Sequence, residues 1–205
     1  MPEIKRPVFF SGENPGMHLY LPGTEDLTLS ASYWKSEFSP WGTGNALILW
    51  TTEKAGKDFV PFRKIYTDNV PLAKGLVEKL TQHFQEFRDI PLVSLSYSEA
   101  GFKRSFDGIE YSVRCFTDNL EIMLAWKDIL DRKLLLWPDF QAGKKKYDLY
   151  TVIFPCRTSS ISFNGVFPEG SAHTEKAGDG NTASSSFLAF SETWTGPVKN
   201  KEIPG

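Results

Sequence analysis

Hydrophobic and polar residues alternate along most of this chain. Leu27, Leu29, Ala31 and Tyr33 alternate with Thr28, Ser30 and Ser32. The same period of two recurs where Val93, Leu95 and Tyr97 alternate with Ser94, Ser96 and Ser98, and where Ile109, Tyr111, Val113 and Cys115 alternate with Glu110, Ser112 and Arg114. Successive side chains of a strand point to opposite faces, so each run predicts a strand with one dry and one wet face. Residues 46–52 are a continuous apolar strand candidate, followed by another over 58–66. Strand patterns return over 147–154, 158–163 and 185–194, separated by a Gly/Ser/Ala-rich loop over 168–183. Asp107-Gly108 and Asn164-Gly165 predict tight hairpin turns, because such pairs tolerate positive φ.

One segment has a different period. After the cap candidates Asp68 and Asn69, Pro71 sits in a first turn, and Leu72, Ala73, Leu76, Val77, Leu80, Phe84 and Phe87 follow at spacings of three and four. This predicts a long amphipathic helix over about 69–88, stopped by Asp89-Ile90-Pro91. Residues 127–137 read as a second short helix or as irregular chain. Nine or ten strands with one helix predict an α+β fold, mainly β: an antiparallel β-barrel or strongly bent sheet enclosing a cavity, since closure removes exposed edges.

Composition narrows the function. At 205 residues the chain makes one domain, and 23 basic against 25 acidic residues leave no basic face for a run of phosphates, so no nucleic acid is expected. Lys144, Lys145 and Lys146 read as a solvated loop. Cys115 and Cys156 fall in strand-like segments, where a thiol packs as a small apolar group and a disulfide is not indicated. No apolar run approaches a membrane span or a signal sequence, so the expectation is a cytoplasmic protein with no membrane partner. The 16 Phe, 7 Tyr and 6 Trp exceed what a core of this size requires, so some are expected to line a cavity that takes a small-molecule ligand or substrate.

The candidate chemistry lies at residues 132 and 133. Arg132-Lys133 follows the apolar positions Leu120, Ile122, Leu124, Trp126, Ile129 and Leu130. A lysine amine becomes a nucleophile near neutral pH only where low dielectric and a neighbouring cation disfavour its charged form. Lys133 has both in its sequence neighbourhood. A basic dipeptide closing an apolar segment is more often a solvated face, so the order of the surrounding motifs carries the weight.

Four landmarks fall in order: Tyr66-Thr67-Asp68 before the helix; Tyr97-Ser98-Glu99; Tyr111 with Asp118-Asn119, leading through Trp126 to Arg132-Lys133; and Glu192-Thr193-Trp194-Thr195-Gly196-Pro197. In this order, over about residues 58–197, they resemble the acetoacetate decarboxylase-like family, a β-barrel fold. The resemblance implies residues 1–57 as extra N-terminal strands and 198–205 as a tail. It implies Glu99 as the glutamate near the reactive amine, Lys133 with Arg132 in the place of the paired lysines, and Tyr97, Tyr111 and Trp126 beside the substrate. The family's nucleophile is usually the first lysine of the pair. Arg132 stands there and cannot form a Schiff base, so the amine role passes to Lys133, with Arg132 lowering its pKa or binding a substrate carboxylate. No partner is found for a second active-site glutamate, and Tyr66 stands where the family has an arginine.

The expected function is therefore a lyase-type enzyme acting on a small keto acid or related carbonyl compound through a lysine Schiff base, of decarboxylase or aldolase/dehydratase type. The alternative is a non-catalytic β-barrel binding an apolar or aromatic small molecule. A third class, an interaction module using Trp34, Trp41 and Trp137 on the surface, ranks last. No cofactor is expected, and no metal, because His18, His83 and His173 lack ligand spacing. A homodimer would complete a barrel short of strands.

Overall fold

The structure, a computed structural model, describes residues 6–81, 95–142, 144–176 and 182–196. The first half of the described chain forms β1 (Val8–Glu13), β2 (Gly16–Tyr20), β3 (Leu27–Phe38), β4 (Gly44–Thr51), β5 (Arg63–Thr67) and the helix α1 (Val70–Lys79). The second half forms β6 (Ser96–Glu99), β7 (Gly101–Phe106), β8 (Tyr111–Phe116), β9 (Glu121–Ile129), β10 (Lys133–Ala142) and β11 (Lys145–Phe163). A small ribbon of β12 (Thr174–Lys176) and β13 (Thr182–Ser184) precedes β14 (Ser186–Thr195).

All but that ribbon belong to one large sheet, in the order β6-β5-β4-β3-β1-β14-β11-β9-β8-β7, with β10 branching from β11 and β2 lying against β14 and β3. The sheet is mixed: β5 and β6 run parallel, as a crossover through α1 requires. It is also bent, because side chains of β3 and β4 share one buried cluster with those of β8 and β9. Its end strands β6 and β7 are consecutive in the chain, yet among the described residues they do not pair. Of the expected antiparallel barrel or strongly bent sheet, the structure shows a large bent sheet that is mixed and not purely antiparallel.

Alternation set the two faces. Leu29, Ala31, Tyr33, Leu47, Leu49 and Tyr66 meet Tyr111, Val113, Cys115, Leu124 and Trp126 on the inner face. The intervening residues Trp34, Ala46, Ile48 and Ile65 face outward against Leu72, Ala73, Leu76 and Val77 of α1. Trp34 is fully buried and Trp41 packs on the helix side, so the expected surface tryptophans reduce to Trp137. The helix starts where expected: the Asn69 side chain accepts from the Leu72 amide at 3.0 Å, and Pro71 lies in the first turn, where a missing N–H costs nothing. Phe84, Phe87 and the Asp89-Ile90-Pro91 stop lie outside the described residues, so a helix reaching 88 is not shown.

Two segments differ from the sequence reading. Residues 147–154 and 158–163 are one strand, the 19-residue β11, which pairs with β14 up to Pro155 and with β9 from Cys156 onward. Proline offers no N–H to a ladder, and the change of partner falls there. The stretch expected to be helical or irregular contains the end of β9 and the start of β10. Asn164-Gly165 makes the expected two-residue turn, with φ of 49° and 81°.

Candidate active site

Strand register assembles a row of polar side chains on the inner face. Glu13 pairs with Lys35, and Lys35 with Asn45, so all three side chains share one face. Asp68, just past β5, extends the row by accepting from the Asn45 amide and from Asn45 Nδ2, both at 2.6 Å. One rung deeper lie Tyr33, Leu47 and Tyr66, where the Tyr33 hydroxyl donates to Asn45 Oδ1 at 2.5 Å.

The opposite half of the bent sheet completes the cluster. Arg104 of β7 donates to Glu13 Oε1 at 2.7 Å, and the Tyr111 hydroxyl of β8 donates to Glu13 Oε2, also at 2.7 Å. Arg104 and Tyr111 reach it together because Arg104 pairs with Val113 and Phe106 with Tyr111, which puts both on the inner face. The Glu13, Lys35 and Arg104 side chains keep 20 %, 19 % and 32 % of their exposure, so the cluster is reachable from solvent.

The charges perturb one another. Burial, and then the Arg104 guanidinium, hold the Lys35 amine below the ordinary lysine pKa, against the opposing pull of Glu13. Lys35 also meets the exposed carboxylate of Glu37, two residues along the same strand face. Burial raises the Tyr111 phenol well above its usual value, reinforced by its bond to Glu13, and the buried Tyr33 phenol is raised as well. Both phenols are therefore fixed as hydroxyl donors. The arrangement offers an amine beside a guanidinium, with a carboxylate in the same row: parts suited to condensation with a carbonyl group and to proton transfer.

The residues expected from sequence are dispersed. Lys133 opens β10, half-buried and opposite Ile153, and Arg132 before it is exposed. Glu99 ends β6, exposed, and lines a hollow of about 490 Å³ with Asp68 and Asp118. Among the described residues neither Lys133 nor Glu99 makes an ion pair. Tyr97 packs against the helix-side cluster, with the Lys74 amine 5.9 Å from its ring centroid. Tyr111 and Trp126 do come together, their rings 5.9 Å apart in the inner cluster, with Tyr111 bonded to Glu13. Asp118-Asn119 forms the turn between β8 and β9, closed by the Thr117 amide on the Leu120 carbonyl at 2.8 Å. Glu192, 3 % exposed, accepts from the Trp194 indole at 2.8 Å.

Glu13, Lys35 and Arg104 were missed because they are far apart in sequence. One signal was present. Lys35 continues the series Leu29, Ala31, Tyr33 on the dry face, where an unpartnered charge is costly. His83 lies outside the described residues. Among the described residues no group of three His, Cys, Asp or Glu side chains could hold a metal ion, and no helix is long and apolar enough to cross a membrane.

Comparison with solved structures gives a fold-level likeness. One solved acetoacetate decarboxylase matches with a TM-score of 0.45 and 9 % identity, over 98 % of this chain and 91 % of that one. This chain is similar to acetoacetate decarboxylase. The enzyme from Legionella pneumophila subsp. pneumophila str. Philadelphia 1 matches with the same TM-score and identity, over 100 % of this chain and 94 % of that one. No family model and no curated protein matches the sequence.

Proposed function

We propose that this protein is a lyase-type enzyme that acts on a small keto acid or related carbonyl compound through a lysine Schiff base, with Lys35 as the amine. The observation that carries the reading is the position of Lys35: partly buried, in one row with Glu13, and near enough to Arg104 for the guanidinium to depress its pKa. This keeps the chemistry expected from sequence and moves the amine from Lys133 to Lys35.

In this reading neutral Lys35 Nζ adds to the ketone carbon. The carbonyl oxygen leaves as water after taking one proton from the amine and one from an acid, giving an iminium. The iminium then accepts the electron pair of the adjacent breaking bond, C–C or C–H, and becomes an enamine. Protonation at carbon and addition of water release the product and restore the amine. Glu13, oriented by Tyr111, moves the protons. Burial and then Arg104 lower the Lys35 pKa, and Arg104, with donors to spare beyond the one on Glu13, holds the substrate carboxylate.

Borohydride reduction in the presence of acetoacetate or pyruvate, followed by peptide mapping, tests the reading. A reduced adduct on Lys35, lost in Lys35→Met, supports it. An adduct on Lys133 would return the amine to the residue expected from sequence. No adduct on any lysine would end the amine mechanism.

A further inference from the structure

A cleft opens two rungs away from the row of Glu13 and Lys35. On β3, β4 and β5 the rows run Lys35–Asn45, then Tyr33–Leu47–Tyr66, then Ala31–Leu49–Lys64. At the Lys64 end an apolar cleft of about 560 Å³ opens, a volume within the range of small-molecule sites. Its walls come from three separate parts of the chain: the segment before β5 supplies Phe59, Val60 and Phe62, the β8–β9 turn supplies Leu120, and the end of β11 with the turn after it supplies Phe163 and Val166.

The aromatic wall is built and not collapsed. Phe163 stands between Phe59 and Phe62, with ring centroids 5.6 and 5.8 Å away, both edge to face. Val60 and Val166 at the cleft keep 81 % and 50 % of their exposure. Apolar surface left in water at a concavity is a favourable place for an apolar body to bury itself.

The polar groups fix what kind of body it is. Lys64 Nζ lies 5.5 Å from the Tyr66 ring centroid, and among the described residues it forms no ion pair. Asp58, exposed at the rim, also lines the cleft without reaching Lys64. Asn164 is committed to the chain, accepting from the Glu121 amide and donating to the Asn119 carbonyl. The cleft thus presents one cation with an unfilled valence for an anion, beside a wall of phenylalanines.

We infer that this cleft binds a monocarboxylate with an apolar alkyl or aryl body, the carboxylate on Lys64 and the body against Phe59, Phe62 and Phe163. The site is independent of the Schiff-base reading, since Lys64 takes no part in the row of Glu13 and Lys35.

Isothermal titration of the full chain with decanoate, decanol and decyltrimethylammonium tests the inference. Decanoate is expected to bind, and the alcohol and the cation to bind about tenfold or more weakly, because they lack a charge-assisted bond to Lys64. Lys64→Met should remove that preference while decanol binding persists. Phe163→Ala should weaken decanoate and decanol together, and Lys35→Met should leave decanoate binding unchanged. Absence of decanoate binding, equal binding of acid and alcohol, or loss of decanoate binding in Lys35→Met but not in Lys64→Met would each overturn the proposal. None of these outcomes depends on adduct formation at Lys35, so the two proposals can fail separately.

Discussion

Glu13 gives one carboxylate oxygen to Arg104 and the other to Tyr111, each at 2.7 Å. The three residues lie on β1, β7 and β8, so this one carboxylate joins the two halves of the bent sheet across their inner faces.

Glu13→Gln tests how much that junction contributes. The amide can accept from only one of the two donors, and it brings its own N–H toward the other. A loss of about 1–2 kcal/mol is expected, reduced from the value for a fully buried charged pair because both partners retain solvent contact. Urea unfolding of Glu13→Gln, Tyr111→Phe and the double variant would read it. Additive losses would show that the two residues do not act on each other.

Gly75 should resist replacement by alanine. Helix propensity alone favours alanine by about 1 kcal/mol. A Cβ at this position would clash with the indole of Trp41, and overpacking of that kind costs roughly 1–3 kcal/mol. Gly75→Ala is expected to lower the urea midpoint, and a raised midpoint would mean that Trp41 can leave its seat against α1.

The two thiols are expected to be inert in the folded protein. Cys115 and Cys156 are free and fully buried, and burial pushes their pKa up to about 12 and about 11. Iodoacetamide at pH 8 should label neither in buffer and both in urea. Labelling in buffer at either position would show that the inner cluster opens.

His18 should make stability depend on pH. Burial lowers its pKa below 6.5, and its Nδ1 lies 2.7 Å from the Ser30 hydroxyl. The folded state therefore binds the proton less readily than the unfolded chain does. The contribution is fully present above about pH 6.5 and is lost as pH falls from there through the folded pKa. Between pH 7.5 and pH 5 the urea midpoint should fall more steeply for wild type than for His18→Gln. Equal slopes would mean that other groups carry the acid sensitivity.

Much of the fold was legible because it rests on local pattern. The parity of Leu29, Ala31 and Tyr33 gave β3 its inner face, and Asn69 with Pro71 gave α1 its start. The continuity of β11 was not legible, because Pro155 reads as a break, whereas here the strand runs through it and changes neighbour. β10 was missed because Leu134, Leu135 and Leu136 do not alternate. Among the described residues it pairs with β11 alone, and Leu134 and Leu136 remain 66 % and 55 % exposed.

The candidate site was harder to read than the strands. Sequence reading favours pairs that are adjacent, such as Arg132 and Lys133, whereas Lys35 and Arg104 come to share Glu13 as a neighbour only because the sheet bends. Their neighbourhood is a product of topology, and a linear pattern holds no trace of it beyond a charge at a dry position. Tyr111 and Trp126, already singled out from sequence, do meet, because β8 and β9 form a hairpin and Tyr111 pairs with Trp126 in its register.

The place of β14 between β1 and β11 also bears on how the chain is made. During synthesis β1 emerges well before β14, its neighbour on that side. Until β14 follows, one flank of β1 offers bare amides and carbonyls to any passing strand. Nascent chains of this protein should therefore be vulnerable to mispairing, and chaperone capture of chains stalled before residue 186 would be the place to see it.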